Sequence, residues 1–179
     1  MNISKTSNNM KRKWWWVVLG LAALAIGGTM TTIKINNIVN TLPKGKGAYK
    51  RRTLSSITGI VVHHSAADSG TPTAIANYHI SRGWPGIGYH FVISPDGAVS
   101  QTNDLESISY HVGYYNTTYV GICLIGHLSK HPPTPQQMDS LRGLIKHVKS
   151  TIGKDLVVKG HRDLAATECP GKMMDLKKI

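Results

Sequence analysis

The stretch "ITGIVVHHSAADSG", Ile57–Gly70, decides the fold. Its apolar, β-branched opening reads as a buried strand over 57–64, and the small polar residues that follow read as a loop. Side chains on a strand alternate between faces, so His63 and His64 cannot both look into one site. The strand alone does not say which of them does. Downstream, "TPTAIANYHISRG" reads as a helix, with Thr71 as cap, Pro72 in the first turn and Gly83 as stop. "GYHFVIS" and "AVSQ" read as strands around an "SPDG" turn, and "YVGICLIG" as a central strand. "TPQQMDSLRGLIKHVKSTIG" carries a capping box at Thr134 and Gln137. Its apolar stripe is Met138, Leu141, Leu144, Ile145 and Val148, and it stops at Gly153. "LVVKGH" is a further strand. Strands alternating with helices predict an α/β fold: a single mixed central β-sheet with flanking helices, over residues 54–179.

The formal net charge of +12 is unevenly spread over the 179 residues. No acidic residue precedes Asp68, and residues 1–52 hold ten Lys or Arg; the remainder holds eleven against nine acids. The folded part shows no basic stripe with interleaved aromatics, which argues against nucleic acid as a partner. Within the N-terminal quarter, a basic segment (1–13) precedes an uncharged run of twenty residues, Trp14 to Ile33. That length spans a hydrocarbon core, and Trp14–Trp16 sit where an aromatic belt would anchor it. The expectation is one N-terminal transmembrane helix, an uncleaved signal anchor over 14–33, followed by a basic, unpacked linker over 34–53.

Nine histidines and two cysteines carry the chemistry. In "GHRDLAATECPG", His161 follows an apolar strand directly and Cys169 comes eight residues later on the same loop. Imidazole and thiolate together suit zinc, and a third ligand can come from the "VVHH" strand if the two strands are neighbours. Cys123, inside an apolar strand, reads as core, so no disulfide with Cys169 is expected.

These segments occur in an order and spacing that resemble the zinc-dependent N-acetylmuramoyl-L-alanine amidases of type 2, relatives of peptidoglycan recognition proteins and of phage amidase-lysozymes. The resemblance covers about Ser56 to Leu176 and rests on "VVHHSA", "GWPGIGYHFVISPDGAV", "GICLIG", "TPQQMDSL" and "GHRDLAATECPG". It implies one Zn²⁺ held by His63, His161 and Cys169, with His64 turned away. It implies Tyr89 as an active-site residue. It also implies Thr167 as one, at a position where the phage enzymes carry lysine and recognition-protein amidases threonine. His111 matches a cleft histidine and is expected to contact substrate; Trp84 and Asn116 are candidates to line a glycopeptide groove. The implied reaction is hydrolysis of the amide between N-acetylmuramic acid and L-alanine in peptidoglycan. In that family, loss of the ligand cysteine separates binders from enzymes, so Cys169 favours an enzyme over a non-catalytic peptidoglycan-binding receptor. The catalytic domain is expected to be monomeric. With the basic block abutting the span, the chain is expected to cross the cytoplasmic membrane once, its catalytic domain on the outer, periplasmic or wall-facing side.

Overall fold

The computed structural model describes residues 33–179, and the elements follow the local chemistry of the chain. Six strands form: β1 (Ile35–Asn37), β2 (Gly59–His64), β3 (Phe91–Ile93), β4 (Val99–Gln101), β5 (Tyr119–Leu124) and β6 (Val157–Gly160). They join into one sheet in the order β1-β4-β3-β5-β2-β6. Every pairing is parallel except β3 with β4, whose tight turn at Ser94–Gly97 closes through a Gly97 N–H to Ser94 carbonyl bond of 2.9 Å. Gly97 takes a left-handed φ of 85° there, which a side chain would resist.

Two helices supply the layers. α1 (Pro72–Ser81) starts where the Thr71 hydroxyl accepts from the Ala74 N–H. α2 (Pro135–Ile152) starts with a complete Thr134–Gln137 capping box and ends at Gly153 in the left-handed region. Leu141, Leu144, Ile145 and Val148 of α2 join Ile60, Val62, Ile93, Ile122 and Leu124 in the main core cluster. The opposite sheet face carries a second cluster, in which Ala76 of α1 meets Val92 and Cys123. Strand β2 is buried throughout because it lies inside the sheet with both faces covered.

The segment expected to be an unpacked linker is part of the folded unit. β1 pairs with β4, Leu42 is buried, and the Tyr49 hydroxyl donates to the Gly86 carbonyl at 2.8 Å. Arg52 is buried as well. Ile33, the last residue of the expected membrane span, packs against the core cluster beside Gly143. The apolar residues Ile33, Ile35 and Leu42 each find a place on the domain, and this burial outweighs the Pro/Gly/Lys composition that reads as a tether. The rest of the expected span, and the basic segment before it, lie outside the described residues. Among the described residues no helix is long and apolar enough to cross a membrane.

Candidate functional site

Parallel pairing of β2 with β6, with Val62 opposite Gly160, brings the carboxyl ends of the two strands side by side. His63 is the next residue on one chain segment and His161 on the other, so their rings meet with centroids 4.7 Å apart. Cys169 reaches them from the loop after β6. Arg162 staples that loop: its N–H donates to the Cys169 carbonyl at 2.7 Å, and its guanidinium donates to the carbonyls of Gly171 and Met174. One ligand atom from each of His63, His161 and Cys169 lies within 4.8 Å of the others. His63 Nδ1 is 3.6 Å from Cys169 Sγ. Two imidazole nitrogens and one sulfur match the donor set that tetrahedral zinc prefers, and a fourth side faces an open cleft. The three residues therefore fit a metal ion.

The cleft measures about 540 Å³ and is walled by Tyr89, Trp84, Tyr110, Thr167 and the histidines. Burial pushes the Cys169 thiol up to about 11. Burial likewise holds His63 well below the ordinary imidazole value, with the neighbouring histidines adding to the effect. Tyr89 lies with its ring 5.1 Å from that of His63; burial, and then its two cysteine neighbours, raise its phenol well above the ordinary value. Cys123 is the cross-strand partner of His63, on the α1 face, fully buried; it forms no disulfide.

Both histidines of β2 border the cleft, but only His63 contributes a donor to the group of three. His64 is not among the three grouped donors: its Nδ1 accepts from the Leu128 N–H at 3.0 Å, tying down the loop after β5. Its own N–H points at Cys169 Sγ, 3.4 Å away. Thr167 lines the cleft, and its hydroxyl accepts from the Cys169 N–H at 3.2 Å. Trp84 is on the wall, stacked on His79 at 4.5 Å.

Two expected substrate contacts are engaged elsewhere. Asn116 caps the turn before β5, its Oδ1 accepting from the N–H groups of His111 (2.9 Å) and Val112 (2.8 Å). His111 borders the cleft but spends both ring nitrogens inside the protein, one on His63 (3.0 Å) and one on the Tyr119 carbonyl (3.3 Å). The sequence reading overlooks Tyr110, Arg52 and Arg162. Tyr110 was the most accessible of these, because it stands beside His111 in "SYHV".

The neutral histidines around the site make stability pH-dependent. Burial lowers His79 from 6.5 to about 4, its Nδ1 accepting from the Gly88 N–H, and lowers His90 well below 6.5. Between those values the unfolded chain binds protons that the folded chain refuses. The contribution of His79 is complete above about 6.5 and is lost as pH falls toward 4, and that of His90 is lost as pH falls well below 6.5. In the presence of a chelator, the urea midpoint should therefore be lower at pH 5 than at pH 7.5; an unchanged midpoint contradicts the buried neutral state.

A family profile described as N-acetylmuramoyl-L-alanine amidase matches residues 53–172. The chain is similar to the endolysin of Enterobacteria phage K11, with 38% identity over 117 residues, covering 61% of this chain and 77% of that one. It is 30% identical over 139 residues to peptidoglycan-recognition protein SC2 of Drosophila simulans, covering 71% and 76%. Among solved structures, the N-acetylmuramoyl-L-alanine amidase LysC from Clostridium intestinale URNW superposes with a TM-score of 0.70 at 29% identity. That match covers 81% of this chain and 93% of LysC.

Proposed function

The chain belongs to the N-acetylmuramoyl-L-alanine amidase family, and from that premise we propose that it hydrolyses the N-acetylmuramic acid–L-alanine amide of peptidoglycan with one zinc ion, while tethered to a membrane. The observation that carries the metal reading is the grouping of His63, His161 and Cys169 donors within 4.8 Å on the wall of an open cleft. When bound, zinc supplies Lewis-acid polarisation of the amide carbonyl and a water of lowered pKa. His63 and His161, as neutral imidazoles, and Cys169, giving up its thiol proton to the metal, would hold it.

The protein's own groups supply the rest. Hydrolysis adds water across the C–N bond: the lactyl carbonyl carbon gains the hydroxyl, and the alanine nitrogen leaves with a proton. Negative charge grows on the carbonyl oxygen as the carbon becomes tetrahedral. The Tyr89 hydroxyl donates a hydrogen bond to it, with Thr167 as a second donor, and such donors are worth about 10²–10³ in rate each. Trp84 and Tyr110 offer flat apolar surface at the cleft for the sugar and peptide of the substrate. The tether is the uncharged segment that starts at Trp14 and ends before Ile33, which packs on the domain, with the catalytic domain on the outer face of the cytoplasmic membrane; the sequence pattern alone supports this part of the reading.

Dialysis against a strong chelator tests the reading. Activity on purified peptidoglycan should disappear and return on adding Zn²⁺ to about one equivalent. Full activity in the chelated protein contradicts it, and peptidoglycan binding without cleavage by the zinc-loaded protein points to a receptor instead.

A further inference from the structure

We propose that His111 is a positioning residue: by accepting a hydrogen bond from the Nε2–H of His63, it locks His63 in the tautomer whose bare Nδ1 faces Cys169. The purpose assigned to that lock rests on the metal reading above; the lock itself does not.

Hydrogen-bond valence dictates the direction. A carbonyl oxygen only accepts, so His111 Nε2, 3.3 Å from the Tyr119 carbonyl, carries a hydrogen. A neutral imidazole has one N–H, which leaves His111 Nδ1 bare. That nitrogen is 3.0 Å from His63 Nε2, and one proton must lie between them, so His63 Nε2 carries it. His63 Nδ1 is then bare, and it is the atom 3.6 Å from Cys169 Sγ. A metal ligand needs this arrangement, because a ring nitrogen binds a cation only without its proton.

The surroundings hold His111 for this task. Its backbone N–H is bonded to Asn116 Oδ1, and its ring is buried and meets the His63 ring nearly edge-on, at 83°. The ring lies directly over Gly121 of β5, where a Cβ would come within 2.8 Å of it. Glycine at 121 is therefore what lets an imidazole lie against the strand beside His63. The Tyr119 carbonyl is itself fixed, since Arg52 Nη1 donates to it at 2.8 Å. With neither ring nitrogen turned to the cleft, His111 acts through His63 and not on the substrate.

Truncation to alanine leaves the buried His63 Nε2 without an acceptor and frees the ring to place its proton on Nδ1. Asparagine at 111 can offer Oδ1 where Nδ1 stood. The experiment compares the full-length wild-type chain, His111→Ala and His111→Asn. Long-range ¹⁵N–¹H spectra of the metal-free proteins should show His63 as the single Nε2–H tautomer in wild type, mixed in His111→Ala and single again in His111→Asn. Chelator competition should show zinc affinity reduced about 10–100-fold in His111→Ala and largely recovered in His111→Asn. At saturating zinc, KM should be unchanged. A His63 Nδ1–H tautomer in wild type overturns the lock, whether or not zinc binds and whether or not the variants fold. Raised KM with unchanged zinc affinity overturns it in favour of a substrate contact. A wild-type chain with the Nε2–H tautomer that takes up no zinc upholds the lock and contradicts the metal reading.

Discussion

Cys169→Ser should lower amide hydrolysis by on the order of 10³-fold while leaving the fold and the binding of insoluble peptidoglycan intact. The substitution removes one sulfur from a three-donor group and puts in its place a hydroxyl that stays protonated at neutral pH. Only His63 and His161 would then remain to hold zinc, an ion that when bound contributes several kcal/mol of transition-state stabilisation. At about 1.4 kcal/mol per tenfold, kcat/KM falls by on the order of 10³-fold. The loop should survive, because Arg162 anchors it through the carbonyls of Cys169, Gly171 and Met174 and none of these bonds uses the thiol. Three readings of the purified variant check this: hydrolysis rate, zinc per chain, and the urea midpoint of the metal-free protein. A serine variant with wild-type turnover contradicts the assignment of Cys169.

Arg52→Met should cost about 2–4 kcal/mol of stability, an effect that the sequence alone assigns to no core residue. The Arg52 guanidinium is buried and donates to the carbonyls of Leu105 (2.9 Å), Asn116 (2.8 Å) and Tyr119 (2.8 Å), with Nη2 also 2.9 Å from His90 Nε2. Burial lowers it to about 10, far enough above neutrality that it remains a cation. Removing it strands buried acceptors, each costing roughly 1–3 kcal/mol, offset in part by no longer burying a charge. The neighbouring Arg51 is the control. It is largely exposed and pairs with Asp104 and Glu106 at the surface, so Arg51→Met should change stability by no more than about 1 kcal/mol. Urea unfolding of the two variants separates them; equal, small losses contradict the structural account of Arg52. Because Arg52 also fixes the Asn116–Tyr119 segment against which His111 sits, the stable remainder of Arg52→Met should bind zinc more weakly.

What could be read from the chain depended on the range of the interaction. The caps of α1 and α2 are local: Thr71 with Ala74, and Thr134 with Gln137, lie three residues apart and were legible as such. Alternation along β2 separated His63 from His64, yet choosing between them required the pairing of Val62 with Gly160, nearly a hundred residues away. The resemblance of the motifs to a known family supplied that choice. β1 is not legible in the sequence, because three residues are too few to show a period of two, and Pro43, Gly45 and Gly47 nearby read as a tether. The role of Arg52 is not legible either, because a buried arginine and a surface one look alike in sequence. Its partners are backbone carbonyls 53 to 67 residues away, which no side-chain pattern marks. Asn116 and His111 were legible as polar groups near the cleft, but their use inside the protein depends on the turn and on the bare strand position at Gly121.

Mass analysis of the soluble products from purified peptidoglycan treated with the zinc-loaded protein tests the central claim most directly. The account predicts intact stem peptides beginning with L-alanine and carrying a free α-amino group, together with glycan strands whose muramic lactyl groups end in a carboxylate. Muropeptides still joined to sugar, or peptides cut within the stem, would contradict it.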